Sequence, residues 1–214
     1  MNKRLRLFVV AIAALALILG AIVAAGVSKA RAKKEMEERL ELVQRAAAVG
    51  AAGRASCERI VGPLEQDLAA LETDEGGSDR VKKAYRALGD CQMQLGRHQQ
   101  AVDAYAKVAF FDPQQGRAHG DLANAYTRLG DQSNAIRHAR LAAQLSPNTW
   151  QAHRVLARAL ENAGRFPDAL AAMRRAAELA PANQQGAARQ AVTRLESKVA
   201  DAAPAAAAQR GSDE

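Results

Sequence analysis

The chain has 214 residues, a net charge of +7 and two cysteines. Residues 1–34 carry seven Lys or Arg and no acidic residue, whereas the remainder is neutral overall, so the positive charge is local. Without aromatic side chains interleaved among the basic ones, this pattern excludes nucleic acid as the predicted partner. No Cys-x-x-Cys, phosphate loop or nucleophile elbow is present, so we predict no catalytic site, no metal site and no cofactor.

The first predicted element is an apolar segment behind a basic start. Lys3, Arg4 and Arg6 precede residues 7–27, in which no side chain is charged or strongly polar. Such a run is long enough to cross a bilayer of about 30 Å at ~1.5 Å per residue. We therefore predict a signal anchor over 1–27 that spans the inner (cytoplasmic) membrane once. The alternative is a cleaved signal peptide, because residues 23–25 offer a small-residue cleavage site.

The orientation in that membrane is a separate prediction. Basic residues flank the apolar run on both sides, so the positive-inside count does not decide. The short amino-terminal flank favours an amino end in the cytoplasm, and the high Ala and Arg usage indicates a bacterial source. We predict that the rest of the chain lies on the periplasmic side.

Residues 28–55 are predicted to form a charged juxtamembrane helix and a linker. Opposite charges four residues apart, such as Lys34 and Glu38, favour a helix. A 4-3-4 spacing of apolar residues suits a short coiled-coil seam and hence a homo-oligomer, with a solvated single helix as the alternative: Met36, Leu40, Val43 and Ala47. Residues 56–78 are predicted to be an additional helical unit, interrupted or restarted at Gly62-Pro63, followed by a loop.

The strongest pattern is a 34-residue period within residues 79–183. Pro113, Pro147 and Pro181 keep this spacing, and so do a glycine and an alanine ahead of each proline: Gly96, Gly130, Gly164, Ala101, Ala135 and Ala169. The glycine ends a first helix at positive φ, the alanine lets two helices pass closely, and the proline ends a second helix. The period predicts three helix-turn-helix repeats, over 82–115, 116–149 and 150–183, in an all-α fold.

These marks resemble the tetratricopeptide repeat family, most closely in residues 85–89 (Tyr-Arg-Ala-Leu-Gly) and 95–105. Repeats two and three depart from the family pattern, with His119 and His153 where an aromatic is usual. The resemblance implies a short right-handed solenoid that binds a protein or peptide and is not an enzyme. We further predict a capping helix over 184–200, with Ala187 and Leu195 on its apolar side, and a disordered tail over 201–214.

The resemblance also implies that the first helices of the repeats line a concave surface, which we call the groove. Counting from the repeat marks places eight polar side chains there: Lys83, Arg86, Arg117, Asn124, Arg128, Arg154, Arg158 and Asn162. Arginine donates two parallel hydrogen bonds to a carboxylate, and asparagine can bond a peptide backbone. We predict an acidic or carboxylate-terminated peptide as ligand, with arginines that merely keep the surface soluble as the alternative. The clamp of relatives that bind chaperone tails is not reproduced, because Asp90 and Asp121 fall where neutral or basic groups are needed.

Two pairs of residues invite further predictions. Cys57 and Cys91 would lie at similar heights on antiparallel helices, which allows a disulfide, while a free core cysteine at 91 is the alternative. His119 and His153 are equivalent in successive repeats, so their rings could meet, with packing between repeats as the simpler role.

The predicted function is a membrane-tethered adaptor or chaperone-like scaffold in cell-envelope assembly. The alternative is a structural, self-associating membrane protein, in which the acidic stretch over 35–78 docks on the basic repeat domain. A salt-sensitive oligomer would distinguish the second hypothesis.

Overall fold

The computed structural model describes residues 22–31, 33–35, 38, 51–75 and 79–210, and these residues form helices joined by short turns. The chain divides into two units, residues 1–87 and 88–214, which we take in turn. The predicted coiled-coil seam lies outside the described residues.

The first unit contains helical residues near position 22 and one long helix. An exposed ion pair joins Arg31 Nε to Glu35 Oε1 at 2.6 Å, four residues apart on the same helical stretch. Helix α1, Ala51–Glu75, runs without a break through Gly62-Pro63, where the sequence predicted an interruption. That prediction was wrong: Pro63 removes one helical hydrogen bond, but burial of Leu64 and Leu68 beside it favours the continuous helix.

Helix α2, Asp79–Gln94, crosses the boundary, and the second unit continues as a regular succession of helices. Each helix from the third onward packs against the next, and the fourth also packs against the sixth. Their bounds are α3 His98–Phe111, α4 Gly116–Leu129, α5 Gln132–Leu145, α6 Trp150–Asn162, α7 Phe166–Leu179 and α8 Ala182–Arg210. This order of paired helices is the predicted all-α helix-turn-helix array.

The repeat marks act as the sequence predicted. The three turn glycines have positive φ, at 75° for Gly96, 89° for Gly130 and 72° for Gly164, a conformation that costs other residues about 1 kcal/mol or more. The marker alanines are buried at helix crossings: Ala101, Ala135 and Ala169. Their small side chains allow the close approach of the helices that flank them.

Three apolar clusters follow one another along the second unit. The first joins Val102 and Tyr105 of α3 to Leu122 of α4. The second is built largely from alanines of α4 and α5 against Val155 of α6. The third joins α6 and α7 to Leu195 of α8. One continuous row of small cores therefore links each repeat to its successor and the last repeat to α8.

Helix α8 caps the array but is longer than predicted. Leu195 is 0% exposed, and Ala191, Val192 and Val199 pack around the same cluster, as a capping helix requires. The helix extends to Arg210, so residues 201–210 are helical where the sequence predicted a disordered tail. Alanine has the highest helix propensity, which outweighs Pro204 in this Ala-rich segment. Residues 211–214 lie outside the described part of the chain.

Most of the predicted transmembrane helix over 7–27 lies outside the described residues, because these begin at residue 22. Within the described part of the chain, none of the helices combines the length and the apolar character needed to span a bilayer.

Candidate functional site

The groove is built from α4 and α6, the first helices of repeats two and three. Asn124 and Arg158 occupy equivalent positions, 34 residues apart, and the Arg158 guanidinium donates a hydrogen bond to the Asn124 side-chain carbonyl. The direct packing of α4 on α6 brings the two side chains together. Two residues that are one repeat period apart in the sequence are therefore in direct contact across the groove.

Three arginines of the groove share one positively charged region. Burial lowers the pKa of Arg158 from its ordinary value, and the charges of Arg154 and Arg128 lower it further. The guanidinium carbon of Arg154 lies 5.2 Å from the ring centroid of Trp150, so it is held over an aromatic face. Among the described residues, neither Arg154 nor Arg158 has a carboxylate within ion-pair distance. The clustered positive charges are suited to bind an anion.

Two cavities open along this surface. The first, about 460 Å³, lies among α4, α5 and α6, and Arg117, Asp121, Asn124 and Gln151 give it a polar lining. The second, about 250 Å³, lies among α6, α7 and α8, and we call it the cap cavity. Arg154 lines both, so the two cavities adjoin.

The two cavities are the same site in successive repeats. Five lining positions of the first return in the cap cavity after one period of 34 residues: Gly116 as Trp150, Gly120 as Arg154, Asn124 as Arg158, Ala142 as Ala176, and Arg154 as Ala188. The backbone therefore offers the same recess twice, while the side chains around it differ. The groove has two subsites of related shape and unlike chemistry.

The structure places the predicted groove residues unequally. Arg117, Asn124, Arg154 and Arg158 line the cavities. Arg128 lies close enough to Arg158 for its positive charge to lower the pKa of Arg158, whereas the exposed Asn162 uses its backbone carbonyl to accept a hydrogen bond from Gln132 Nε2 at 3.2 Å. Lys83 is exposed and Arg86 half-buried on the part of α2 that belongs to the first unit. Their role in ligand binding stays a prediction.

Sequence reasoning missed the contribution of the last helices. Met173 and Ala176 of α7 and Ala188, Ala191 and Arg194 of α8 line the cap cavity. The signal that could have found them is the same period, since Ala188 stands 34 residues after Arg154. The sequence pattern predicts only a capping role for α8.

The histidines pack within their own repeats rather than against each other. His119 Nε2 donates to the Pro113 carbonyl at 3.0 Å, and His153 Nε2 donates to the Pro147 carbonyl at 2.8 Å, so each ring bridges back to the preceding turn. His119 Nδ1 faces His138 Nδ1 at 3.2 Å. The two rings stack at 5.4 Å, and Tyr126 stacks on the other side of His138 at 5.5 Å. The simpler prediction, packing, describes both residues.

One tautomer arrangement satisfies this pair of rings. Because His119 donates from Nε2, its Nδ1 accepts, and His138 must donate from Nδ1. A second proton on His138 would go to Nε2, which faces the Nη2 of Arg137 at 3.5 Å. Burial, with Arg137 and His119 nearby, lowers the pKa of His138 to about 4. Among the described residues, no group of three potential ligands is placed to hold a metal ion.

Cys57 and Cys91 are both buried, and both are in the disulfide-bonded form. No thiol is free among the described cysteines, which favours the disulfide over a free core cysteine at 91. Their pairing with each other stays a prediction.

Two family models match the chain. The model described as tetratricopeptide repeat matches residues 121–184. The model described as bacterial transcriptional activator domain matches residues 21–148, more than half of the chain. The chain belongs to the tetratricopeptide repeat family. By the extent of the longer match it also belongs to the bacterial transcriptional activator domain family. A search of curated proteins found no significant match.

Solved structures of tetratricopeptide repeat domains share the fold. MamA AMB-1 is 28% identical, with a TM-score of 0.53 over 67% of this chain and 78% of its own. The Sgt2 domain from Aspergillus fumigatus is 20% identical, with a TM-score of 0.54 over 56% of this chain and 80% of its own. The first repeat domain of Spaghetti (RPAP3), bound to the HSP90 peptide SRMEEVD, is 23% identical, with a TM-score of 0.51 over 56% of this chain and 93% of its own.

The family and the fold define the general role. Tetratricopeptide repeat domains are scaffolds that bind other proteins, and neither matching family model describes an enzyme. The chain is a protein-interaction module, and the groove is its candidate binding surface.

Proposed function

We propose that the chain is a membrane-tethered adaptor, or chaperone-like scaffold, that binds an acidic segment of a protein partner in its groove. The observation that carries this proposal is the cluster of three arginines in which the half-buried Arg158 lies within reach of the positive charges of the exposed Arg154 and Arg128. A carboxylate placed between them would offset these charges and accept bidentate hydrogen bonds. Asn124 already orients Arg158 toward the same space.

The neighbouring structures support a peptide as the form of the ligand. The Spaghetti domain holds the peptide SRMEEVD, in which three of seven residues are acidic. At 23% identity, the fold is what the two domains share, so the identity of our partner is an independent question. The acidic character that we propose comes from the arginines of this chain.

The binding proposal is tested with two labelled peptides and two variants. A fluorescein-labelled heptapeptide of six glutamates around a central serine should bind the protein, whereas its lysine counterpart should not. Arg154→Glu/Arg158→Glu should weaken binding at least ~10-fold, because repulsion replaces charge-assisted hydrogen bonds. The matched control is Arg137→Glu/Arg140→Glu, which makes the same change in net charge on the exposed side of α5, away from both cavities. Arg140→Glu alone makes half of that change.

The outcome separates the proposal from self-association. If both double variants lose affinity equally, a general charge effect explains binding and the groove proposal fails. If the acidic peptide does not bind and the protein instead forms an oligomer that dissociates at high salt, the acidic 35–78 stretch becomes the better candidate ligand. Thermal unfolding of each variant shows whether the fold is intact.

The membrane tether rests on the apolar run over 7–27 and on the helical residues at its end. Ile22, Val23 and Val27 are 62%, 64% and 65% exposed, so their apolar side chains have no protein surface to cover them in the described structure. We propose that this segment anchors the chain in the inner membrane with the repeats in the periplasm. Carbonate-resistant membrane association that is lost without residues 1–27 tests the anchor. Alkaline phosphatase fused after residue 210 tests the orientation, since it is active only outside the cytoplasm.

A further inference from the structure

The cap cavity differs from its equivalent one repeat earlier in a way that selects a ligand side chain. Its floor is apolar and buried, formed by Met173 and Ala176 of α7 with Ala188 of α8. Three arginines, Arg154, Arg158 and Arg194, also line it, with Glu161 as its one acidic lining residue. An apolar recess ringed by positive charge suits an apolar side chain whose neighbours along the peptide are acidic.

Resting on the proposed function, we propose that the cap cavity is an anchor site for one apolar side chain of an acidic peptide, and that α8 forms part of the binding site. At about 250 Å³ the cavity is smaller than the ~300–1,000 Å³ typical of small-molecule pockets, and a single side chain is the matching size. Ala188 stands one period after Arg154, so a small apolar side chain lines the cap cavity where an arginine lines the earlier subsite.

Arg194 and Glu161 show how α8 is held in this position. Glu161, also at the cavity, accepts from Arg194 Nη2 at 3.2 Å and from Lys198 Nζ at 2.8 Å. The carboxylate is therefore neutralised by α8 and does not cancel the charge of Arg154 and Arg158. The cavity keeps a net attraction for an acidic ligand although it contains an acidic residue.

The adjoining subsites also set a spacing. Helices α4 and α6 are in direct contact, so equivalent points on them are about 8–10 Å apart. An extended peptide covers that distance in about three residues at ~3.3 Å each. A peptide whose apolar side chain enters the cap cavity would place a residue about three positions away over the polar subsite.

Two peptides of equal charge test the anchor. One has six glutamates around a central leucine, and its twin has serine in place of leucine. The intact protein should bind the leucine peptide ~10-fold more tightly, because the buried side chain leaves water. Ala187→Phe, at an exposed position on the rim of the cavity, should fill the recess and reduce this preference below ~3-fold while the serine peptide still binds.

Controls keep the inference falsifiable. Ala200→Phe adds the same ring to an exposed position farther along α8 and should leave the preference unchanged. Ala191→Met narrows the same cavity from its wall and supplies a second test if Ala187→Phe impairs folding. Equal binding of the two peptides by the intact protein, or a preference that survives both filling variants, would overturn the anchor alone. If neither peptide binds, the proposed function fails and the anchor with it.

Discussion

The junction between repeats two and three and the junction between repeat three and α8 solve the same packing problem differently. The first is a row of alanines from α4 and α5 against Val155, and the polar contacts across it are the hydrogen bonds from Arg158 to Asn124 and from Gln132 to the Asn162 carbonyl. The second buries one large residue, Leu195, and surrounds it with ion pairs from Glu161 to Arg194 and Lys198. Repeats fit each other by shape, whereas the cap is fitted by one apolar side chain and by charge.

This contrast follows from what each surface faces. Repeat two has an equivalent repeat on both sides, so small residues at fixed positions are enough to fit the helices together. Among the described helices, α8 is in extensive contact with α7 alone, and its sequence does not follow the repeat pattern. Arg174 Nη2, which donates to Glu196 Oε1 at 2.8 Å, adds a third ionic contact to the cap.

The largest effect is expected from Leu195→Ala. The side chain is 0% exposed, and loss of a buried leucine with a residual cavity costs about 3 to 5 kcal/mol of unfolding free energy. Because the site is at the end of the array, fast amide exchange should be concentrated in α7 and α8. The matched change Leu122→Ala, inside the array, should instead speed exchange in helices on both sides. Identical exchange patterns would contradict the contrast between the two junctions.

The next effect concerns the cysteines. If Cys57 and Cys91 are bonded to each other, closing a loop of this length stabilises the protein by about 3 to 4 kcal/mol. The double change to serine should lower the unfolding free energy by a similar amount. Peptide mapping without reductant should recover the two cysteines in one cross-linked species. Recovery as separate peptides, or as a cross-link between two copies of the chain, would refute the pairing.

Acidification should weaken the packing within repeat two through the paired histidine rings. The pKa of His138 is lowered to about 4 in the folded protein, against an ordinary value of 6.5. Between these values the unfolded chain binds a proton that the folded chain does not, so stability falls as pH decreases from about 6.5 toward 4. The glutamine in His138→Gln does not titrate, so the unfolding free energy of this variant, measured with urea, should depend less on pH in the upper part of this range. An unchanged slope would assign the pH dependence to other groups.

The smallest effect is expected from Glu161→Gln. This change removes both ionic contacts to α8 but keeps the size of the side chain, and partly exposed ion pairs contribute about 1 kcal/mol or less. Higher salt should reduce the difference between the variant and the original protein. Arg158→Gln at the repeat junction keeps a donor for Asn124 and should show little such salt dependence.

The sequence predicted the backbone of the array well, because its marks are local. The turn at Gly130 requires a residue that adopts positive φ, and the close helix approach at Ala135 requires a small side chain. Each requirement is met by a single residue type that recurs at a fixed period, so the sequence alone reveals it. Predictions that depended on a balance of forces were less successful. Pro63 does not interrupt α1, and the Ala-rich segment after residue 200 is helical up to Arg210.

The candidate site was predicted only in part. The period placed Arg154 and Arg158 on one surface, but it did not show that Arg154 lies between two adjoining cavities. The sequence also did not predict that His119 contacts His138 of the next helix, because this pair does not recur at the 34-residue period. Contacts between different helices depend on side-chain direction and crossing geometry, which a spacing rule does not contain.

Local residues are enough to define the repeat, its turns and the position of each first helix, since glycine, alanine and proline act on the backbone at their own positions. Two features required the packed helices to be known: the carboxylate of Glu161 is neutralised by α8, and Ala188 of α8 lines a cavity together with Met173 and Ala176 of α7. Those outcomes depend on which charges and surfaces meet across helices far apart in the chain, and packing alone brings them together.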